Sequence, residues 1–239
     1  MSAYMKGSYF LTIASSLILI LTLSHGHAEM LERADIVQVD TGTASISDGH
    51  LTLHATVHGV WHEHGRAMAL ALDKQIGLEG LYGVKAVQTV WTHGNNTSVA
   101  AGIYEGMAFH PKVISLSLSG PMFNDLEEVA VRDATMLGAL VVAAAGNHHG
   151  DTPEYPAHFS RSDDCVVAVG TIRSEKRAPY SNVGDIYLDE VPGESGTSYS
   201  TARAAGIAYH YFATHPKASC RQVKQWLVSK YGPARLGIK

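Results

Sequence analysis

The chain has 239 residues, 46% hydrophobic and 17% charged, with a net charge of -4. This is globular composition, which excludes a disordered or fibrous chain, and the length allows one domain with a large core. No basic patch points to nucleic acid, no acidic tail to a solvating segment, and no repeat or low-complexity stretch interrupts the chain.

Lys6 precedes the uncharged run "SYFLTIASSLILILTL", which ends at Leu23 and is followed by "SHGHAEM". A positive start, a short apolar stretch and small residues at Gly26 and Ala28 read as a secretory signal over residues 1–28. The run is shorter than the roughly 20 apolar residues of a spanning helix, so an uncleaved anchor is the alternative and no stable membrane anchor is expected. Cleavage after Ala28 leaves residues 29–239 as one domain outside the cytoplasm. Cys165 and Cys220 are the two cysteines. Export permits a disulfide, but spacing does not establish one, and two separate buried thiols are the simpler expectation.

Strand-like and helix-like patterns then alternate. "ADIVQVD" is a β-branched strand ending at Asp40, "GRAMALALDKQ" a helix and "YGVKAVQTV" a strand. "TSVAAGIYEGMAF" has an apolar face at Val99, Ile103 and Met107, with Thr97 or Ser98 as its cap. "KVISLSL" is a strand. "DLEEVAVRDATMLG" is a helix with acidic residues at its start and Gly138 as its stop. "ALVVAAAGN" lacks alternation, so both its faces are expected to be buried. "CVVAVGTI" is another strand. "TARAAGIAYHYFA" is a buried helix behind the glycine- and hydroxyl-rich "GESGTSYS". In "SCRQVKQWLVSKYG", Ser219 and Gln222 fit a capping box and Gly232 a stop. The alternation predicts an α/β fold with a doubly wound, mostly parallel sheet, whose ligand sites lie beyond the carboxyl ends of the strands. Two strand tips there are polar: Asp40-Thr41-Gly42 and Gly146-Asn147-His148.

Four motifs make the chain from about Ile36 onward resemble the subtilisin-like serine proteases, the subtilases. "VQVDTG" resembles the strand and turn that bear the family's acid, here Asp40. "HEHGRAMAL" resembles the motif that bears its base, here His64, with His62 as the competing position. "VVAAAGN" resembles the oxyanion segment, with Asn147 as donor. "SGTSYSTARAAG" resembles the nucleophile segment, with the nucleophile on Ser198. Further matches are "YGVKAV", "VISLSLSGP" and "RAPYSNVG". The resemblance implies a three-layer, single-domain subtilisin-like fold and a secreted endopeptidase acting on extended polypeptide. It also implies peptide-binding walls at Gly94, at Ser117, Leu118, Ser119 and Gly120, and at Gly146.

The residue types suit that chemistry. A serine hydroxyl needs a hydrogen-bonded base, an imidazole can take and return a proton, and a carboxylate behind the ring fixes its tautomer. "DTG" alone is shared with aspartic proteases, but those are β-rich and pair two such loops. The chain departs from the family pattern at Arg66, Ala67 and Met68 after His64-Gly65, and at Glu63 before it. Tyr199 and Ser200 replace smaller residues after Ser198, and Arg203 and Ala204 stand where proline and histidine often follow. Lys74 falls on an asparagine that binds calcium in the family, so no calcium is expected, and no other metal or cofactor. A signal cut places Asp40 at the twelfth residue after Ala28, leaving too little chain for a pro-segment. The domain is then expected to fold unaided or with a folding partner or inhibitor acting in trans. A catalytically impaired, secreted binding module is the alternative function. His50, His54, His58 and His62 recur every four residues, but Thr52, Thr56, Val57 and Gly59 disfavour the helix that would align them on metal. "NNTS" offers glycosylation sequons at Asn95 and Asn96, and Trp91 and Trp226 are expected in the core.

Overall fold

A computed structural model describes residues 34–41, 63–76, 85–89 and 96–238. The signal segment, the histidine series, His62, Trp91, Gly94 and Asn95 lie outside the described residues. Elements alternate as expected. β1 (Ile36–Thr41) is followed by α1 (Glu63–Ile76), β2 (Lys85–Thr89), α2 (Asn96–Met107) and β3 (Val113–Leu116). Then come α3 (Asp125–Met136), β4 (Leu140–Ala144), a 3-10 turn (Ala157–Arg161), β5 (Val166–Arg173) and β6 (Lys176–Arg177). β7 (Ile186–Asp189), α4 (Thr197–Thr214), α5 (Cys220–Tyr231) and α6 (Pro233–Leu236) complete the described chain.

The strands form one sheet in the order β2-β1-β3-β4-β5, with β7 parallel to β5 and the short β6 antiparallel to it. Every other pairing is parallel, and the strand order reverses between the β1 and β3 neighbours, as in doubly wound sheets. The side-chain period of two sends alternate strand residues to opposite faces. Ile36, Val113, Leu140, Val142, Val167 and Val169 pack against α1, α4 and α5. Val37, Val39, Ile114, Leu116, Val141 and Ala143 pack against α2 and α3. Both faces of β4 are therefore buried, which is why its sequence shows no polar alternation.

Two close approaches need glycine. A Cβ on Gly106 would lie 2.6 Å from Val37 Cγ1, so α2 sits tight on β1. A Cβ on Gly65 would fall 1.6 Å from the Thr41 carbonyl oxygen, so the start of α1 rests directly on the end of β1.

Two expectations need correction. Cys165 and Cys220 are bonded to each other, with Cα atoms 5.1 Å apart, rather than separate thiols. The bridge ties the residue before β5 to the first residue of α5, a contact that forms only once both elements pack. α2 begins at Asn96, so Thr97 and Ser98 lie inside it rather than capping it. The α3 cap is Asn124, whose side chain accepts from the Glu127 N–H. Gly138 does close α3 with a positive φ of 91°, and the Ser219–Gln222 capping box is present on α5. Trp226 packs against the core beside Tyr211.

Candidate active site

The carboxyl ends of β3 and β4 meet the first turn of α4, and the carboxyl end of β1 meets the start of α1. Each of these ends carries residues singled out by sequence, and hydrogen bonds show how they meet.

At the end of β1, Asp40 is 2% exposed and its Oδ1 lies 2.7 Å from His64 Nδ1. The same oxygen accepts from the Thr41 N–H at 2.6 Å. His64 reaches Asp40 because α1 is pinned to β1. The Gly65 N–H donates to Thr41 Oγ1 at 2.9 Å, and Gln38 Nε2 donates to the Gly65 carbonyl at 2.9 Å. The missing side chain of Gly65 makes that contact possible. Burial pulls the His64 pKa down, but the hydrogen bond and negative charge of Asp40 outweigh it and hold the imidazole above its usual 6.5. The carboxylate fixes the proton on Nδ1, which leaves Nε2 as the basic nitrogen.

At the start of α4, the chain enters through Gly196, whose φ of 115° suits glycine. The Gly196 N–H donates to Tyr180 Oη at 2.9 Å, and the Tyr180 hydroxyl donates to Glu190. Arg173 grips that carboxylate and holds its pKa down at about 2. Ser200 is fully buried, 2.8 Å from Thr171 Oγ1, so it anchors the helix to β5 and is closed to substrate. Ser198 is half-buried on the first turn, with its backbone N–H among the donors a helix leaves unpaired. Its Oγ donates to the Ser117 carbonyl at 3.0 Å, and Ser117 Oγ donates to the Ser198 carbonyl at 3.0 Å. This double link holds the end of β3 against the serine. No hydrogen bond joins Ser198 to His64 among the described residues.

At the end of β4, Asn147 takes the place of a side-chain cap for α4. Its Oδ1 accepts from the Thr197 N–H at 2.9 Å and from the Thr197 hydroxyl at 3.1 Å. A backbone N–H can only donate, so the amide oxygen must face Thr197, which leaves the Nδ2 group to donate elsewhere. The loop behind it is stapled by Asn182, whose Oδ1 accepts from the His148 and Gly150 N–H groups at 2.9 and 2.8 Å. Gly146 has a φ of 109°, and a Cβ there would lie 2.7 Å from both Asn182 Nδ2 and Glu154 Oε2.

The structure therefore joins Asp40 to His64, Asn147 to the residue before Ser198, and Ser198 to Ser117. Leu118 packs into the core from the same stretch, and Ser119 and Gly120 extend it toward solvent. Sequence reading missed Thr197, Asn182 and Glu154. Asn182 lies within the quoted "RAPYSNVG", and Thr197 precedes the serine, so both were within reach of the motifs; Glu154 carried no signal. Lys74 is bonded to Glu194 at 2.9 Å, linking α1 to the loop before Ser198. A cavity of about 450 Å³ abuts that loop, lined by Arg173, Glu190, Gly193 and Ser195 among others, and contains none of Asp40, His64, Asn147 or Ser198. Among the described residues no group of three metal-ligating side chains converges, and no helix is long and apolar enough to cross a membrane.

Comparison with known proteins bears on this geometry. Residues 58–236 match the model of the subtilase family. The chain belongs to that family. It is 30% identical over 210 residues to thermitase of Thermoactinomyces vulgaris, covering 73% of each chain. It is also 30% identical over 218 residues to subtilisin DY of Bacillus licheniformis, covering 81% of this chain and 77% of that one. Among solved structures, a cold-adapted subtilisin-like serine proteinase superposes with a TM-score of 0.63 at 21% identity, over 83% of this subtilase and 84% of that chain. The prenylagaramide maturation protease PagA gives 0.63 at 18% identity, over 80% and 81%. At those identities the structures speak for the fold, which is the subtilisin-like α/β fold in a single domain.

Proposed function

We propose that this subtilase is a secreted serine endopeptidase that hydrolyses polypeptide through an acyl-enzyme on Ser198, with Asp40 and His64 completing the triad and Asn147 as oxyanion donor. The observation that carries the proposal is the buried Asp40 carboxylate 2.7 Å from His64 Nδ1, at the strand ends where Ser198 opens a helix.

The extended substrate runs along Ser117–Gly120, with Gly146 opposite and Gly94, outside the described residues, as the further wall. In the free protein the Ser198 hydroxyl rests on the Ser117 carbonyl. Catalysis requires the hydroxyl to leave that carbonyl and turn its proton to His64 Nε2, in keeping with free enzymes whose catalytic hydrogen bonds form only with substrate. Oγ then attacks the substrate carbonyl carbon while the ring takes the proton. Asp40 stabilises the imidazolium through Nδ1–H. The carbonyl oxygen becomes an oxyanion facing Asn147 Nδ2 and the Ser198 N–H, with the positive end of the α4 dipole behind it. The C–N bond breaks as His64 returns the proton to the leaving amine. Water, deprotonated by His64, then frees the acid and regenerates Ser198. Export of residues 29–239 is supported by the apolar N-terminal run and by the Cys165–Cys220 disulfide, which an oxidising compartment preserves.

A second reading, a binding module without turnover, draws on the hydrogen bond that turns Ser198 toward Ser117. Incubation with a fluorophosphonate separates the two. Labelling that disappears in Ser198→Ala and in His64→Ala is expected for the protease. A well-folded protein that takes no label is the module.

A further inference from the structure

The segment through Glu154 and Tyr155 crosses between the two walls that flank Ser198. On one side Tyr155 and Gly120 exchange backbone hydrogen bonds, both 2.9 Å. On the other the Glu154 N–H donates to the Ala145 carbonyl at 2.9 Å. One wall is bonded to Ser198 through Ser117, and the other reaches Thr197 through Asn147. Both walls therefore run from the Ser198 turn to the Glu154–Tyr155 segment, and the Glu154 side chain lies between them.

That side chain is 11% exposed. Its Oε2 accepts from the Ser119 hydroxyl at 2.6 Å and lies 2.7 Å from the point where a Gly146 Cβ would stand. Its Oε1 lies 2.6 Å from His148 Nδ1. The carboxylate thus touches both walls at once. No lysine or arginine pairs with it among the described residues, and its one basic neighbour there, His148, has a side chain 76% exposed.

We propose that Glu154 is a specificity-determining residue that selects lysine or arginine at the substrate position whose carbonyl Ser198 attacks. The proposal rests on Ser198 as the nucleophile. A substrate backbone lying along Ser117–Gly120 directs that residue's side chain between the walls. A long cationic side chain fills the slot with its apolar stem and meets Glu154 at the end, displacing His148 from Oε1. Ser119 keeps Oε2 oriented for the new partner. Arginine can engage both oxygens through its planar fork, and lysine offers a point charge. An aliphatic residue of equal length leaves the carboxylate without that partner, and an acidic one meets like charge, so both are disfavoured.

Fluorogenic peptides identical except for arginine, lysine, leucine or glutamate before the cleaved bond test this with wild type and Glu154→Gln, comparing kcat/KM ratios within each protein. The expected wild-type preference for arginine over leucine is about 10–100-fold, and Glu154→Gln should shrink that ratio at least tenfold. An equal ratio in the two proteins, or a wild type indifferent to arginine, overturns the proposal. Benzamidine, a small aryl cation, supplies a readout without chemistry when its binding to Ser198→Ala is measured by calorimetry. Weakening of at least tenfold on adding Glu154→Gln supports the slot even if wild type takes no fluorophosphonate, in which case only the protease reading falls. Binding that ignores Glu154 overturns the slot whatever the labelling shows. Near-ultraviolet dichroism confirms that each variant is folded.

Discussion

The two sides of the site are fastened differently. Around Asn147, the loop is tied by Asn182 at His148, Gly150 and Thr152, by the Glu154 N–H at Ala145, and by Thr197 at the Asn147 amide itself. On the other side, the imidazole of His64 is held by Asp40 and remains 35% exposed. The contrast matches the two tasks proposed for these groups. A group that stabilises a developing oxyanion works best when its dipole is fixed beforehand, so that nothing reorganises as the charge appears. A base has to exchange a proton with the serine, the leaving amine and water in turn, so it needs the right tautomer and access more than immobility. The serine hydroxyl rests on the Ser117 carbonyl in the free protein.

Perturbing each part should sharpen that contrast. Ser198→Ala should lower kcat by about 10⁶, the size of effect known for this residue type in subtilisins; residual turnover near wild type would remove Ser198 from the chemistry. Asp40→Asn comes next, with an expected loss of about 10⁴ in kcat as the ring takes the wrong tautomer. Its pH profile carries a second signature. Asp40 holds the His64 pKa above 6.5, and the base must be neutral, so the acid limb of kcat/KM in wild type should fall above pH 6.5. In Asp40→Asn burial acts alone and the limb should move down. The same pair contributes stability below pH 6.5 that is lost as pH rises through the folded His64 value. Asn147→Ala should cost about 10²–10³ in kcat, the magnitude known for one such donor in subtilisins, with KM little changed.

The smallest effect lies outside the chemistry. Glu127, in the first turn of α3, is 2% exposed, and burial raises its carboxyl to about 7. Because the folded value exceeds the unfolded one, stability is full below about pH 4.5, declines as pH rises, and levels off above about 7. Glu127→Gln should therefore raise the unfolding free energy at pH 8, by about 1–3 kcal/mol, and leave it unchanged at pH 4. No difference between the two pH values would contradict this assignment.

What could be read from the sequence followed from local rules. Hydrophobic runs gave the alternating strands and helices, and Ser219 with Gln222 marked the start of α5 because a capping box is written within four residues. The motifs also pointed to Asp40 and His64, although their meeting depends on Gly65 lying against Thr41, a contact between elements. β7 escaped notice because four residues flanked by turns carry little periodicity, and its place beside β5 is set by tertiary pairing. The disulfide joins residues 55 apart, which spacing cannot reveal. Glu154 was invisible for the same reason: Ser119 lies 35 residues away, and only the folded sheet brings them together.

The most direct test is a crystal structure of the wild-type protein after fluorophosphonate treatment. Phosphorus bonded to Ser198 Oγ, with the phosphonyl oxygen about 2.7–3.1 Å from both Asn147 Nδ2 and the Ser198 N–H, is the predicted result. An unmodified Ser198 still hydrogen-bonded to the Ser117 carbonyl, in a well-ordered domain, would contradict it.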